Sequence, residues 1–131
     1  MQRLFAAIII FFGCHAIQAS EFEPNVEMNQ RVIKALIEAG SVPTKPHPIE
    51  HHFLCYTSDC LQELLEKGES LGYRAAYMGE DTYQGTHYWY GDLVKETVLD
   101  LHIINQQNSL MLKLADEFNA DYDGWGTPII K

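Results

Sequence analysis

Ile49-Glu50-His51-His52-Phe53-Leu54-Cys55-Tyr56 is a run of β-branched, aromatic and thiol side chains, and it follows residues 41–48, where Pro43, Pro46 and Pro48 remove amide donors. The run reads as a strand. A period of two places Ile49, His51, Phe53 and Cys55 on one face and Glu50, His52, Leu54 and Tyr56 on the other. Neither set is polar throughout, so the outward face stays open at this level. On the N-terminal side, Met28, Val32, Ile33, Leu36 and Ile37 recur at helical spacing after Pro24-Asn25 and stop before Gly40, the pattern of an amphipathic helix. On the C-terminal side, Thr57 or Ser58 caps a second helix whose stripe is Leu61, Leu64, Leu65 and Leu71, closed by Leu71-Gly72.

Residues 73–78 then read as a strand, 79–85 as a turn and 86–94 as an antiparallel return strand rich in Tyr88, Trp89 and Tyr90. From about Thr97 to Phe118, Ile103, Ile104, Gln107, Leu110, Met111, Leu114, Ala115 and Phe118 follow the helical repeat, and a short closing strand starts at Tyr122. Strand, helix, strand, strand, helix, strand is a split β-α-β arrangement. The expectation is an α+β fold of the ferredoxin-like kind, a four-stranded antiparallel sheet with helices on one face, plus the N-terminal helix.

The chain has 131 residues, 47% hydrophobic and 21% charged, which is the composition of one globular domain. Lys+Arg 9 against Asp+Glu 18 gives a formal net charge of −9, so there is no basic footprint for phosphates and direct nucleic-acid binding is not expected. Met1-Gln2-Arg3, the apolar residues 4–12 and Ala16-Ile17-Gln18-Ala19 have the grammar of an export signal. This divides the chain into a signal peptide, 1–19, and a domain, 20–131, that is periplasmic or secreted. The apolar run is too short for a stable membrane span. An alternative is lipid attachment at Cys14, where Phe11 and Phe12 are bulkier than a lipoprotein signal prefers.

Glu50-His51-His52 carries the residue types that bind metal or move protons, but adjacent strand residues point apart, so only Glu50 and His52 share a face. His87 or Asp123 would complete a site with His52 if their strands were neighbours. The paired Cys/His spacing of structural zinc is missing, so no metal and no cofactor are assigned. No Gly-x-Ser-x-Gly elbow, phosphate-cradling glycine loop or Cys-x-x-Cys pair occurs either, and a non-enzyme is expected, with a metal or enzymatic site around Glu50 and His52 as an alternative. Cys55 and Cys60 flank a strand-to-helix loop, placed either for a disulfide in an oxidising compartment or as two buried thiols. Tyr88, Trp89 and Tyr90, with Tyr56, form an aromatic platform if they face outward. The acidity of the chain favours a protein partner with basic character over RNA.

Asp121-Tyr122-Asp123-Gly124-Trp125-Gly126-Thr127 is an uncommon string, and it resembles the terminal motif of the RraB family, protein inhibitors and regulators of ribonuclease E. Ile49-Glu50-His51-His52, Leu71-Gly72-Tyr73 and Leu114-Ala115-Asp116-Glu117-Phe118 resemble that family's segments in the same order, over about Met28 to Thr127. The resemblance implies a ferredoxin-like domain that binds and modulates a protein and supplies no catalytic residues. The expected partner surface is Glu50, His52, Tyr88, Trp89, Tyr90, Asp121, Asp123 and Trp125. With an export signal in front, the implied partner is an exported one; an immunity-type inhibitor of a secreted toxin is the alternative in the same class.

Overall fold

β1, His47–Cys55, alternates strictly between buried and half-buried residues. His47, Ile49, His51, Phe53 and Cys55 are the buried set, so the outward set is Glu50, His52 and Leu54. The computed structural model describes residues 22–131; the expected leader, 1–19, and Cys14 lie outside the described residues. Around β1 the chain runs α1 (Val26–Glu38), β1, α2 (Ser58–Ser70), β2 (Arg74–Tyr83), β3 (Thr86–Thr97), α3 (Leu101–Glu117) and β4 (Asp121–Gly126). The sheet order is β2-β3-β1-β4, and every neighbouring pair is antiparallel. Each helical crossover therefore skips one strand: β3 lies between β1 and β2, and β1 lies between β3 and β4. This is the expected α+β, ferredoxin-like architecture. Among the described residues, no helix is long and apolar enough to cross a membrane.

Local chemistry sets the helix starts. Asn25, Thr57 and Asp100 each accept a backbone N–H with the side-chain oxygen, from Met28 at 3.1 Å, Cys60 at 3.0 Å and His102 at 2.9 Å. The Asp100 cap starts α3 four residues later than the hydrophobic repeat suggests, because Thr97 is still paired with His47 in the sheet. One core cluster joins Phe53, Leu93 and Cys55 of the sheet to Leu61, Leu64 and Leu65 of α2 and Met111, Leu114 and Ala115 of α3. A second, Ile49, Leu99 and Ile104, is covered by Ile33 and Leu36 from α1 and by Trp125.

The hairpin differs from the sequence expectation. Residues 79–83 are strand, and the turn shrinks to Gln84 and Gly85, with φ of 48° and 82°. Two consecutive positive φ values are what a two-residue hairpin loop of the right twist requires. Gly79, which reads as turn chemistry, instead makes room within the strand: a Cβ there would overlap the Tyr90 phenol. Two bulges complete the sheet, one in β2 between Ala76 and Gly79 opposite β3, one in β4 opposite the His51–Phe53 step of β1.

Gly68 lets α2 lie close to the sheet. A Cβ at this position would overlap both terminal methyls of Leu93, which is fully buried and has nowhere to go. Gly68→Ala should therefore destabilise by about 1–3 kcal/mol from overpacking, in excess of the ~1 kcal/mol that alanine gains in helix propensity. Urea denaturation checks the sign; a more stable variant would show that the helix can lift off without loss.

Candidate functional site

Both helical crossovers pack on one face of the sheet, and the outward residues of the four strands form the other. Strand register fixes what lies side by side there. Gly79, Tyr90, Leu54 and Asp121 make one row; Ala76, Asp92 and His52 make the next; Arg74, Val94, Glu50 and Gly126 make the third. Tyr88 continues the β3 series toward the hairpin, with Tyr88 and Tyr90 rings 6.3 Å apart. Tyr56, just past β1, donates its phenol proton to Asp121 Oδ2 at 2.7 Å, and that hydrogen bond raises its pKa and keeps it neutral. A groove at the hairpin end is lined by Leu54, Tyr56, Tyr83, Thr86, Tyr88 and Asp123. The uncovered face is thus a mixture of phenols and carboxylates.

Not all of the expected surface residues belong to it. Tyr88, Tyr90, Glu50, His52 and Asp121 do, and Asp123 sits at its rim. Trp89 does not, because successive strand residues point to opposite faces. It pairs in register with Cys55 and packs, half-buried, against the main core, its ring edge-on to His87 at 4.5 Å. Trp125 also turns inward. It lies against the second core cluster and donates its indole N–H to Asn29 Oδ1 at 2.9 Å.

The bulge explains Trp125. Phe53 pairs with Tyr122 and His51 with Trp125, so two residues, Asp123 and Gly124, stand opposite the single residue His52. The extra residue shifts the alternation by one, and both aromatics of Tyr122-Asp123-Gly124-Trp125 point to the helices. Gly124 has φ of 92°, a conformation that glycine adopts without strain. Tyr122 then reaches His51: its hydroxyl donates to Nδ1 at 2.8 Å, while Nε2–H donates to Gln107 Oε1 at 2.8 Å. Burial depresses the His51 imidazole to about 4 against the opposing pull of the Gln107 hydrogen bond, and burial raises the Tyr122 phenol. Asn29 extends the polar core to Asn105 at 2.9 Å and Asn108 at 3.1 Å.

Cys55 and Cys60 are joined in a disulfide, with Cα atoms 5.8 Å apart, tying the end of β1 to the first turn of α2. His87 is not near His52; it contacts Thr82 at 2.8 Å and Glu80 at 3.4 Å at the hairpin. The group that meets His52 is Asp92, its register partner, with Nδ1 and Oδ1 2.9 Å apart. Sequence reading passed over Asp92. Its signal is an acid between Gly91 and Leu93 inside the run Tyr88-Trp89-Tyr90-Gly91-Asp92-Leu93-Val94, which is otherwise without charge.

The domain is a small ferredoxin-like fold with one sheet face free of helices, lined by phenols and carboxylates. The chain belongs to the RraB family: the family profile described as Regulator of ribonuclease activity B matches residues 26–127. It is similar to the Regulator of ribonuclease activity B of Pseudoalteromonas atlantica, 38% identical over 109 residues, covering 80% of this chain and 91% of that protein. The protein of the same name from Pseudoalteromonas translucida is 32% identical over 102 residues, covering 77% of this chain and 92% of that one. The Alteromonas mediterranea protein is 34% identical over 115 residues, with 84% of each chain covered.

Proposed function

We propose that this chain is a non-catalytic regulator that acts by stoichiometric contact between its uncovered sheet face and a basic protein partner, and that it is exported to meet that partner outside the cytoplasm. The observation that carries the reading is the face itself, where Tyr56, Tyr88 and Tyr90 stand among Glu50, Asp121 and Asp123. Phenols supply contact area at little entropic cost, and carboxylates attract lysine and arginine and speed encounter. The Regulator name borne by the relatives supports modulation of another protein. Export rests on Arg3, residues 4–12 and Ala19. The relatives' name also supports a ribonuclease as partner, a reading that requires the chain to stay in the cytoplasm.

One experiment separates these outcomes. Native cells are fractionated, the chain's intact mass is measured, and protein from its own fraction is captured with wild type and with the Tyr88→Ala/Tyr90→Ala double variant. The expected chain begins near Ser20 and lies outside the cytoplasm. The double variant should capture at least about tenfold less of a basic partner with little change in melting, and capture should weaken as salt rises. Full-length cytoplasmic protein would overturn export and make the ribonuclease the partner. Equal capture by the double variant would overturn the face.

A further inference from the structure

Strand pairing assembles a donor set that the sequence spacing does not reveal. Glu50 and His52 lie two apart on β1, and Asp92 stands opposite His52 on β3. One ligand atom from each lies within 4.8 Å of the other two. An imidazole with two carboxylates suits borderline divalent ions such as zinc, manganese or iron. A tetrahedral ion with bonds of about 2.1 Å holds its donors roughly 3.4 Å apart. His52 Nδ1 and Asp92 Oδ1 stand 2.9 Å apart, so an ion bound by both would part this pair by about half an ångström and draw in the half-buried Glu50 carboxylate from within 4.8 Å.

Charge balance points the same way. Asp92 is 8% exposed, and among the described residues its ion-pair partner is His52, while Glu50 pairs with no lysine or arginine. Two carboxylates share the position with a single imidazole, and a doubly charged cation between them offsets their repulsion. The cross-strand neighbours on the outer strands are small, Ala76 as the register partner of Asp92 on β2 and Gly126 as that of Glu50 on β4. The imidazole binds through one ring nitrogen with its proton on the other, and the ion takes the place of the hydrogen now shared with Asp92.

We propose that Glu50, His52 and Asp92 form a site for one divalent transition-metal ion at the centre of the uncovered face, with its remaining coordination positions open to water. The site does not depend on the partner-binding reading and is tested without a partner. The chain is stripped with chelator and titrated with zinc chloride in a calorimeter. One saturable site per chain is expected. Glu50→Gln, His52→Gln and Asp92→Asn should each weaken binding about tenfold or more, while His87→Gln and His102→Gln leave it unchanged. Thermal melts of the metal-free proteins accompany the titrations. If Asp92→Asn lowers the melting temperature, Glu50→Gln at its half-buried position decides. The site is overturned if wild type shows no saturable binding, if Glu50→Gln binds as wild type does, or if the distal histidine variants abolish the heat.

Discussion

Trp125→Ala is expected to lower the unfolding free energy by about 3–5 kcal/mol, the range for truncating a large aromatic in a packed site. The indole lies against Ile49, Leu99 and Ile104, and its N–H is given to Asn29, which is 2% exposed. Truncation leaves both a void and a buried amide oxygen without a donor, and the second loss alone is worth about 1–3 kcal/mol. Trp125→Phe keeps most of the packing and loses the donor, so it should fall between wild type and alanine. Tyr90→Ala, at a position 39% exposed on the other face with its phenol over Gly79, should cost about 1 kcal/mol, well short of Trp125→Ala. Urea unfolding of the three variants makes the comparison. If Trp125→Ala unfolds with wild type, the indole is not a core residue and its placement against α1 is wrong.

That inward turn marks where sequence reading stops. β1 was legible because its alternation is a property of the strand alone: His51 and Phe53 share a face whatever pairs with them. Trp125 was not, because its face is set by an extra residue that becomes visible only when β4 is laid beside β1. Trp89 was legible in principle, since the same period of two separates it from Tyr88 and Tyr90, but reading the three aromatics as one cluster overrode the period. Gly79 misled for another reason. A glycine inside a strand and a glycine in a turn look alike in sequence, and only the Tyr90 phenol beside it distinguishes them. Asp92 was lost because its partner is 40 residues away on β1, with α2 and β2 between them in the chain, and no local spacing fixes a register between strands so connected.

The buried His51 makes the domain sensitive to acid, with a sign that follows from its environment. An unfolded histidine takes a proton near pH 6.5, whereas His51 in the fold does so only at about 4. Across that window the unfolded chain binds the extra proton and the native chain does not, so stability falls as pH falls. At about 1.4 kcal/mol per pH unit, the loss is roughly 2 kcal/mol between pH 7 and pH 5, nearing 3 kcal/mol at pH 4. The cost of protonation within the fold is chiefly the burial of the imidazolium, and it also requires the Tyr122 hydroxyl to turn from donor to acceptor at Nδ1 while Nε2–H stays with Gln107. His51→Gln removes the titrating group. Its stability at pH 7 should be lower, since the Tyr122 and Gln107 bonds are disturbed, but its decline from pH 7 to pH 5 should be shallower by about 2 kcal/mol. Carboxylates and the remaining histidines titrate in both proteins, so the difference between the two denaturation series isolates His51. Parallel declines would mean that His51 accepts its proton near the ordinary value and that the Tyr122–His51–Gln107 bridge does not hold the ring neutral.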